Sequence, residues 1–515
     1  MDGLLPLPPC RPSTFFRATD HVMTVRPTLT RTSMLAPLAG AMVLAGCAAV
    51  PHSEPRLSAA TAQSVGLPSG DSTLSQLSPD WWRTIPDPQL ARIMNEALAG
   101  NPSLNEALAR LDVARADISS VRAPLLPQVS GLGLTVPQRL SGDFLAPSPQ
   151  GGSWQTPTIA QADLTWSLDL AGKQKAVLEA AKGRAEAAAL DVAAARVTLA
   201  GAVVETYLNF ARAEAQIAIA SDFVASRQDA LRLAHIRLGA HLASDFDIRA
   251  AETLLAEAEQ AQLRAEGQRV LMIHALAALA GRGADWYPSV QPAALDAETV
   301  LPVPEVLPAD LLGRRADILA AQARIGASAA DRRAARAAFY PNINLIAFAG
   351  TQVMNIAAFG SGSSLTGGIG PAISLPIFEG GKLSAQYRTA TGDQDLAIAT
   401  YNATVVGAVK QVADALSDVA TARADALRQH EVLSGLTETV RLDKVRVASG
   451  LVSRIDLIAE NERLLTARQA MADITAEGAI RRARLAVALG GGFDPADTSK
   501  QLAAASPAPQ TGPVQ

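Results

Sequence analysis

Two long stretches without proline limit the folds open to this chain more than any other feature of its sequence. They cover residues 158–287 and 377–494. Inside the first, Lys175–Ala220 is rich in alanine, which has the highest helix propensity and lets helices approach closely. The pattern predicts a helix from about Lys173 to Leu238, roughly 100 Å long. A rod of that length is typical of coiled or bundled assemblies.

The two stretches repeat the same sequence pattern. An offset of 209 residues relates Arg237 to Arg446 and Ser244 to Ser453. The same offset relates the Leu-Ala-Gly of residues 279–281 to the Ala-Leu-Gly of residues 488–490. An offset that stays constant along both stretches indicates a tandem structural repeat.

Each repeat also contains a predicted pair of β-strands, at about 128–169 and about 342–377. In Thr158–Asp169, apolar and polar residues alternate, as they do in strands of transmembrane β-barrels. A barrel formed by one bacterial chain has at least about eight strands, and lipid does not tolerate open sheet edges. One chain supplies about four strands, so the sequence predicts a barrel that several chains close together. Three chains would supply about twelve strands.

The N-terminus has the features of a secretory signal: Arg26 and Arg31 precede an apolar segment that ends in Leu44-Ala45-Gly46-Cys47. The last four residues resemble the lipobox of bacterial lipoproteins, which implies that residues 1–46 are removed and Cys47 is acylated. An ordinary signal peptide with an unmodified cysteine is the alternative. Ala48, in place of the Asp that favours retention in the inner membrane, implies the outer membrane. Residues 47–80 are then an extended linker, and Met23 is a possible alternative start.

A series of short motifs extends from about Trp81 to Phe493. They are Trp81-Trp82, Leu168-Asp169-Leu170-Ala171-Gly172-Lys173, Asp310-Leu311-Leu312-Gly313-Arg314-Arg315-Ala316-Asp317-Ile318, Phe339-Tyr340-Pro341, Pro376-Ile377-Phe378-Glu379-Gly380-Gly381 and Ala488-Leu489-Gly490-Gly491-Gly492. In this order and on this repeat, the chain resembles the outer-membrane efflux protein family, the TolC-like ducts, and within it the NodT/OprM-type lipoproteins.

The resemblance implies a mainly α fold with a transmembrane β-barrel, in which a tandem repeat of strand pair and long helical hairpins forms a trimeric α/β-barrel duct. Repeat 1 would span 81–308, with long helices at about 172–281 and a proline-rich equatorial link at 288–308. Repeat 2 would span 309–492, with long helices at about 381–490. The composition of the remaining residues, 493–515, predicts a disordered tail.

The family also implies a function and partners. The expected activity is that of a passive exit duct of a tripartite efflux pump, which conducts small amphiphilic compounds or drugs out of the periplasm. The expected partners are two further copies of the chain, outer-membrane lipid, a periplasmic adaptor (membrane fusion protein) and an inner-membrane pump of RND type. The exit duct of a type I protein secretion system and a periplasmic helical-hairpin adaptor or scaffold are the alternatives.

The two turns between long helices hold the candidate functional residues. In the family this region contacts the adaptor and constricts the duct. Residues expected to contact the adaptor are Arg237, Leu238, Gly239, Leu242, Ser244, Arg446, Gly450, Leu451 and Ser453, and gate candidates are Asp247, Asp456, Arg454 and Glu460. Ser244 and Ser453 also fit simple helix capping, since an Asp follows each after three residues. Two departures from the family pattern, His241 in place of glycine and Ala459 in place of a second gate acid, leave the gate network open.

Composition disfavours other classes of function. The formal net charge is −4, whereas proteins that bind nucleic acid normally carry a basic patch. Only two cysteines are present, too few for a cysteine-ligated zinc site, and the six histidines lack H-E-x-x-H spacing. We therefore expect that the chain is not an enzyme and that it has no metal site, no cofactor and no nucleic-acid partner.

Overall fold

The structure is a computed structural model that describes residues 50–67, 77–143, 150–293 and 310–494. The predicted signal peptide and Cys47 lie outside the described residues. So do most of the predicted equatorial link and nearly all of the predicted disordered tail.

The described residues form eight α-helices, of which four are long. In chain order they are α1 (Pro88–Gly100), α2 (Pro102–Arg122), α3 (Lys173–Gly239), α4 (Asp245–Leu279), α5 (Leu311–Arg314), α6 (Ala316–Ala337), α7 (Lys382–Ala448) and α8 (Arg454–Ala488). Asp87 and Asn101 accept hydrogen bonds at the starts of α1 and α2, and each helix has proline in its first turn. Both features are typical of helix N-termini.

The long helices confirm the tandem repeat. Helices α3 and α7 each have 67 residues, and α4 and α8 each have 35. In each pair the second helix begins 209 residues after the first, which is the offset found in the sequence. Helices α3 and α7 also begin alike, after Gly172 and Gly381, which adopt left-handed backbone conformations.

Helix α3 is the central packing element of the described chain. It contacts α1, α2, α4, α6 and α8, while α7 contacts α6 and α8. Many of its buried residues are alanines, which permit this close packing on several sides. One 18-residue window of α3 is apolar enough to cross a membrane, but half of it is buried, as expected of a core helix.

Three polar links connect α3 to α8. Successive links are 11 residues apart on both helices, which fits three turns of a nearly straight helix, at about 3.67 residues per turn. The linked pairs are Glu205–Arg484, Gln216–Asp473 (2.7 Å) and Arg227–Glu462 (3.0 Å). The two helices therefore keep one antiparallel register over most of the length of α8.

The four main strands form one antiparallel sheet in the order β1-β4-β5-β6. They are β1 (Gln128–Thr135), β4 (Thr158–Ser167), β5 (Asn342–Val353) and β6 (Leu365–Ser374). A separate two-stranded ribbon joins β2 (Gln138–Arg139) to β3 (Trp154–Gln155). In the described chain, β1 and β6 each have one partner in the four-stranded sheet, so this sheet has two open edges.

The two faces of the four-stranded sheet differ in polarity. Directly paired residues share a face, so the register assigns each residue to one side. One face is apolar apart from threonines near one end, and includes Val129, Leu164, Trp166, Ile343, Leu345, Ile369 and Ile373. The other carries most of the polar residues, namely Gln128, Ser130, Gln161, Asp163, Thr165, Ser167, Asn342, Asn344, Gln352, Thr366 and Ser374.

Residues 50–67, here called the strap, lie along α7. The carboxylate of Asp395 accepts hydrogen bonds from the backbone N–H groups of Arg56 (2.8 Å) and Leu57 (3.1 Å). Asn402 accepts from the N–H of Ala60 at 2.7 Å, and further side chains bind the backbone carbonyls of the strap. Side chains of α7, together with Arg332 of α6, therefore satisfy backbone groups of residues 53–60, which have no regular secondary structure of their own.

Candidate functional site at the hairpin tips

The first hairpin reverses direction at the end of α3. The N–H of His241 donates to the carbonyl of Leu238 (3.0 Å), and the N–H of Leu242 donates to that of Arg237 (2.8 Å). This pair of bonds is the Schellman arrangement, which needs a left-handed residue after the helix. His241 adopts that conformation with φ 54°, an uncommon one for a residue with a side chain.

The second hairpin makes the same turn with glycine. The N–H of Gly450 donates to the carbonyl of Val447 (3.0 Å), and the N–H of Leu451 donates to that of Arg446 (2.9 Å). Gly450 has φ 72°, which costs glycine no steric strain. The two tips therefore share a backbone turn although only one of them has the residue that favours it.

At the first tip, Asp247 helps to cap the start of α4. Its carboxylate accepts hydrogen bonds from the backbone N–H (2.7 Å) and the hydroxyl (2.8 Å) of Ser244. These bonds, backbone first, lower the pKa of Asp247, and the nearby charge of Arg237 acts in the same direction. Arg237 also donates to the carbonyl of Leu242 at 3.2 Å, so it supports the turn that precedes the cap.

At the second tip, Ser453 and Asp456 bond reciprocally. The carboxylate of Asp456 accepts from the hydroxyl (2.6 Å) and the N–H (3.3 Å) of Ser453, while the hydroxyl accepts from the N–H of Asp456 at 3.2 Å. This is a capping box. The structure thus shows these residues capping helices, while a role in gating remains a prediction.

The other two gate candidates lie apart from these caps. Arg454 is the first residue of α8 and is exposed. Glu460 pairs with Arg463 at 3.0 Å on the same helix. In the part of the chain that the structure describes, Arg454 has no acidic partner, and no cluster of His, Cys, Asp and Glu could hold a metal ion.

Large apolar side chains are exposed at both tips. Leu242 is 68% exposed and its counterpart Leu451 73%. Phe246 is 78% exposed, and its counterpart Ile455 also faces solvent. Sequence reasoning named the two leucines but missed Phe246 and Ile455, although the constant offset would have paired them. Together these residues give each tip an apolar surface suited to a protein partner.

Sequence reasoning also missed the ion pair that joins the two hairpins below their tips. Arg227 of α3 meets Glu462 of α8, with both side chains largely buried. Oxygen Oε1 of Glu462 is buried without a hydrogen-bond partner in the described chain. Burial raises the pKa of Glu462 more than the charge of Arg227 lowers it. The 11-residue spacing of Glu462, Asp473 and Arg484 was the available signal.

Comparison with known proteins agrees with the fold. Residues 93–282 and 307–491 match the family described as outer membrane efflux protein. The chain is 33% identical over 362 residues to the fusaric acid resistance protein FusA of Burkholderia cepacia, covering 69% of this chain and 68% of FusA. It is 30% identical over 422 residues to the outer membrane protein OprJ of Pseudomonas aeruginosa, covering 81% and 86%.

A solved structure extends the likeness to three dimensions. The outer membrane protein VceC of Vibrio cholerae superposes with a TM-score of 0.74 at 28% identity, covering 81% of this chain and all of VceC. The expected fold class and the expectation that the chain is not an enzyme are confirmed. The chain belongs to the outer membrane efflux protein family, the passive outer-membrane channels of efflux systems.

Proposed function

We propose that this chain assembles as a homotrimeric, lipid-anchored exit duct for small amphiphilic compounds. A periplasmic adaptor would connect it to an inner-membrane pump of RND type, which supplies the energy. One relative, FusA, is named for resistance to fusaric acid, which supports a small organic cargo. The observation that carries the proposal is the four-stranded sheet with its two open edges and one apolar face.

The sheet supports both the membrane location and the trimer. Its strands have 8 to 12 residues, close to the roughly 9–11 needed to cross a bilayer. Exposed aromatic residues lie near both ends, with Trp154 and Phe359 at one and Tyr340 and Phe378 at the other, as in the aromatic belts of barrels. Because lipid cannot satisfy the open edges of β1 and β6, three copies would close them into a barrel of about twelve strands.

The repeat also supports a specific contact between copies. The described long helices pack in the row α4-α3-α8-α7, which leaves α4 and α7 at its ends. The repeat relates α7 to α3 and α4 to α8, so α7 of one copy would meet α4 of the next as α3 meets α8. The repeat equivalents of Gln216 and Asp473 are Asp425 on α7 and Arg264 on α4, so these two residues would face each other between copies. Both are exposed and their charges are opposite, which suits a contact across the seam.

The outer helices also carry apolar residues that such a contact would cover. Leu263 and Leu271 of α4 are exposed, as are Leu396, Val406 and Leu427 of α7. In contrast, α3 exposes one large apolar residue, Ile236, and that lies near the tip. Apolar surface at the two ends of the row, rather than in its middle, supports association by these ends.

The strap supports a lipid anchor at Cys47. Leu67 packs in one apolar cluster with Val412, whereas the carbonyl of Ser53 accepts a hydrogen bond from Tyr387, near the start of α7. Toward its N-terminus the strap thus approaches the sheet end of α7. Cys47 lies six positions before Ser53, a length of chain that reaches at most about 20 Å further. An acyl chain there would meet the same membrane as the sheet.

The hairpin tips supply the periplasmic contacts and the constriction. Exposed Leu242 and Leu451 would pack against the adaptor. Asp247 and Asp456 would line the opening of the trimer, where repeated carboxylates favour cations. Both acids cap helices in the single chain, so a role in gating would add to their structural role.

Conductance through a planar lipid bilayer tests the duct, with native mass measured on the same sample. We expect a trimer that gives a small, cation-preferring current. Asp247→Asn and Asp456→Asn retain an oxygen that can accept the capping bonds but lose the charge, so conductance should rise and cation preference fall. Ser244→Ala, which weakens the cap and keeps the charge, is the matched control and should leave selectivity unchanged.

Two results would contradict parts of the proposal. Well-folded protein without conductance would exclude the duct. Channels with the same conductance and selectivity in the wild type and both asparagine variants would reduce Asp247 and Asp456 to helix caps.

A further inference from the structure

The four-stranded sheet contains one charged residue. Asp163 lies near the middle of β4, and β1, β5, β6 and the rest of β4 have none. In a membrane barrel a charge on the lipid-facing side is costly, whereas a charge on the lumen side sets the selectivity of the channel. The acids at the hairpin tips differ from it, because they cap helices far along the chain from the sheet.

The register places Asp163 on the polar face of the sheet, in one row with Ser130, Phe348 and Gly368. Its carboxylate accepts hydrogen bonds from the side-chain amide of Gln161 at 2.9 and 3.2 Å. No ion pair to Asp163 is present among the described residues, and the side chain is half-buried. The negative charge is therefore held in place on this face without a counter-ion from the sheet.

Phe348 is the aromatic residue next to this charge. Paired neighbours on adjacent strands have Cβ atoms roughly 5 Å apart, and Phe348 pairs directly with Asp163. On its other side lies Gly368, where an added Cβ would be 3.0 Å from atom Cε1 of the ring. The absent side chain of Gly368 thus gives the ring its space. Phe348 is 37% exposed although the face is mainly polar.

We propose that Asp163 and Phe348 form a binding site for hydrophobic organic cations on the inner wall of the barrel. This inference rests on the proposed duct, in which the apolar face meets lipid and the polar face lines the lumen. A carboxylate attracts the charge of such a ligand, and an aromatic ring beside it contacts both its charge and its apolar groups. Three copies form a band of negative charge within the membrane, which favours cations over anions.

The test uses the purified full chain in planar bilayers, with two readouts. The reversal potential in a potassium chloride gradient measures ion preference, and block by tetraphenylphosphonium measures binding of a hydrophobic cation. Tetraphenylborate, of similar shape and opposite charge, should not block. Asp163→Asn should move the reversal potential toward zero and weaken block by about tenfold, as expected from losing one charged contact.

Two further variants separate the parts of the site. Phe348→Leu should keep the ion preference and weaken block by about threefold, the effect of losing an aromatic contact to a cation. Asp143→Asn removes the same charge outside the four-stranded sheet and should change neither readout. Channels of Asp163→Asn with the reversal potential and block of the wild type would overturn the site while leaving the duct intact.

A failed assembly is also informative. If Asp163→Asn forms no trimer, Asp163→Ser replaces it as the uncharged variant and is held to the same two readouts. Absence of conductance in the wild type would instead remove the duct on which the site depends. Equal block by tetraphenylphosphonium and tetraphenylborate in the wild type would overturn the charge-based site.

Discussion

The tips of the two hairpins have the same backbone and different side chains. Both helices end in the same two hydrogen bonds, but His241 adopts the left-handed conformation in one and Gly450 in the other. Both following helices start from a Ser and an Asp three residues later. The two copies of the repeat therefore share the hydrogen bonds of the turn, whereas only the second has a residue that adopts the left-handed conformation without strain.

The tips also differ in how they are held. The second hairpin contributes Glu462 to an ion pair with Arg227 of the first hairpin. At the equivalent positions of the repeat lie Thr253 and Leu436, which cannot form such a pair. The two hairpins of one chain are therefore joined by a buried charge pair that has no equivalent at the same position between copies.

The largest expected effect comes from breaking that pair. Glu462→Ala leaves the Arg227 guanidinium largely buried without its partner, so we expect a loss of about 2 kcal/mol in the free energy of unfolding. Glu431→Ala is the matched control, because Glu431 pairs with Arg428 on its own helix with both side chains exposed, and the loss should be at most about 0.5 kcal/mol. Thermal and denaturant unfolding measure both. Equal losses would show that burial of the pair contributes nothing.

A smaller effect is expected from exchanging the turn residues. His241→Gly should stabilise the first turn and Gly450→His should destabilise the second, each by about 1 kcal/mol, since only glycine adopts the left-handed conformation without strain. Hydrogen exchange at the amides of each turn measures this locally. If both substitutions have the same sign, the backbone strain assigned to His241 is wrong.

The smallest effect concerns the exposed cap of Asp247. Its hydrogen bonds from Ser244 lower its pKa. The stabilisation is therefore fully present above about pH 4, the ordinary pKa of an aspartate, and is lost as the pH falls through the lower pKa of Asp247. Amide exchange at the start of α4 should be slower in the wild type than in Asp247→Asn at pH 7. The difference should vanish on acidification. A difference that persists at acid pH would mean that ionisation of Asp247 does not hold the cap.

Much of the fold could be predicted from sequence because its causes are local. Alanine-rich composition and the absence of proline predict the long helices, and the helix predicted to end near Leu238 ends at Gly239. The constant offset predicts the repeat, and alternation along β4 predicts which residues share a face. The capping role of Ser244 and Ser453 follows from the Asp three residues later.

The remaining features depend on contacts between distant segments. The pair of Arg227 and Glu462 needs the register between α3 and α8, which the period of one helix does not reveal. Phe246 was missed because one exposed apolar residue in the first turn of a helix has no periodicity to identify it. The row that joins Asp163 to Phe348 needs the pairing of β4 with β5, and these strands are far apart in sequence.

The strap has a consequence for the order in which the chain is completed. Its hydrogen-bond partners Asp395 and Asn402 lie about 340 residues later in the sequence, so the strap cannot be seated until α7 has formed. A chain that stops before α7 would contain the strap but lack the helix that holds it. Seating of the strap is therefore a late step of folding, and it occurs only in chains long enough to contain α7.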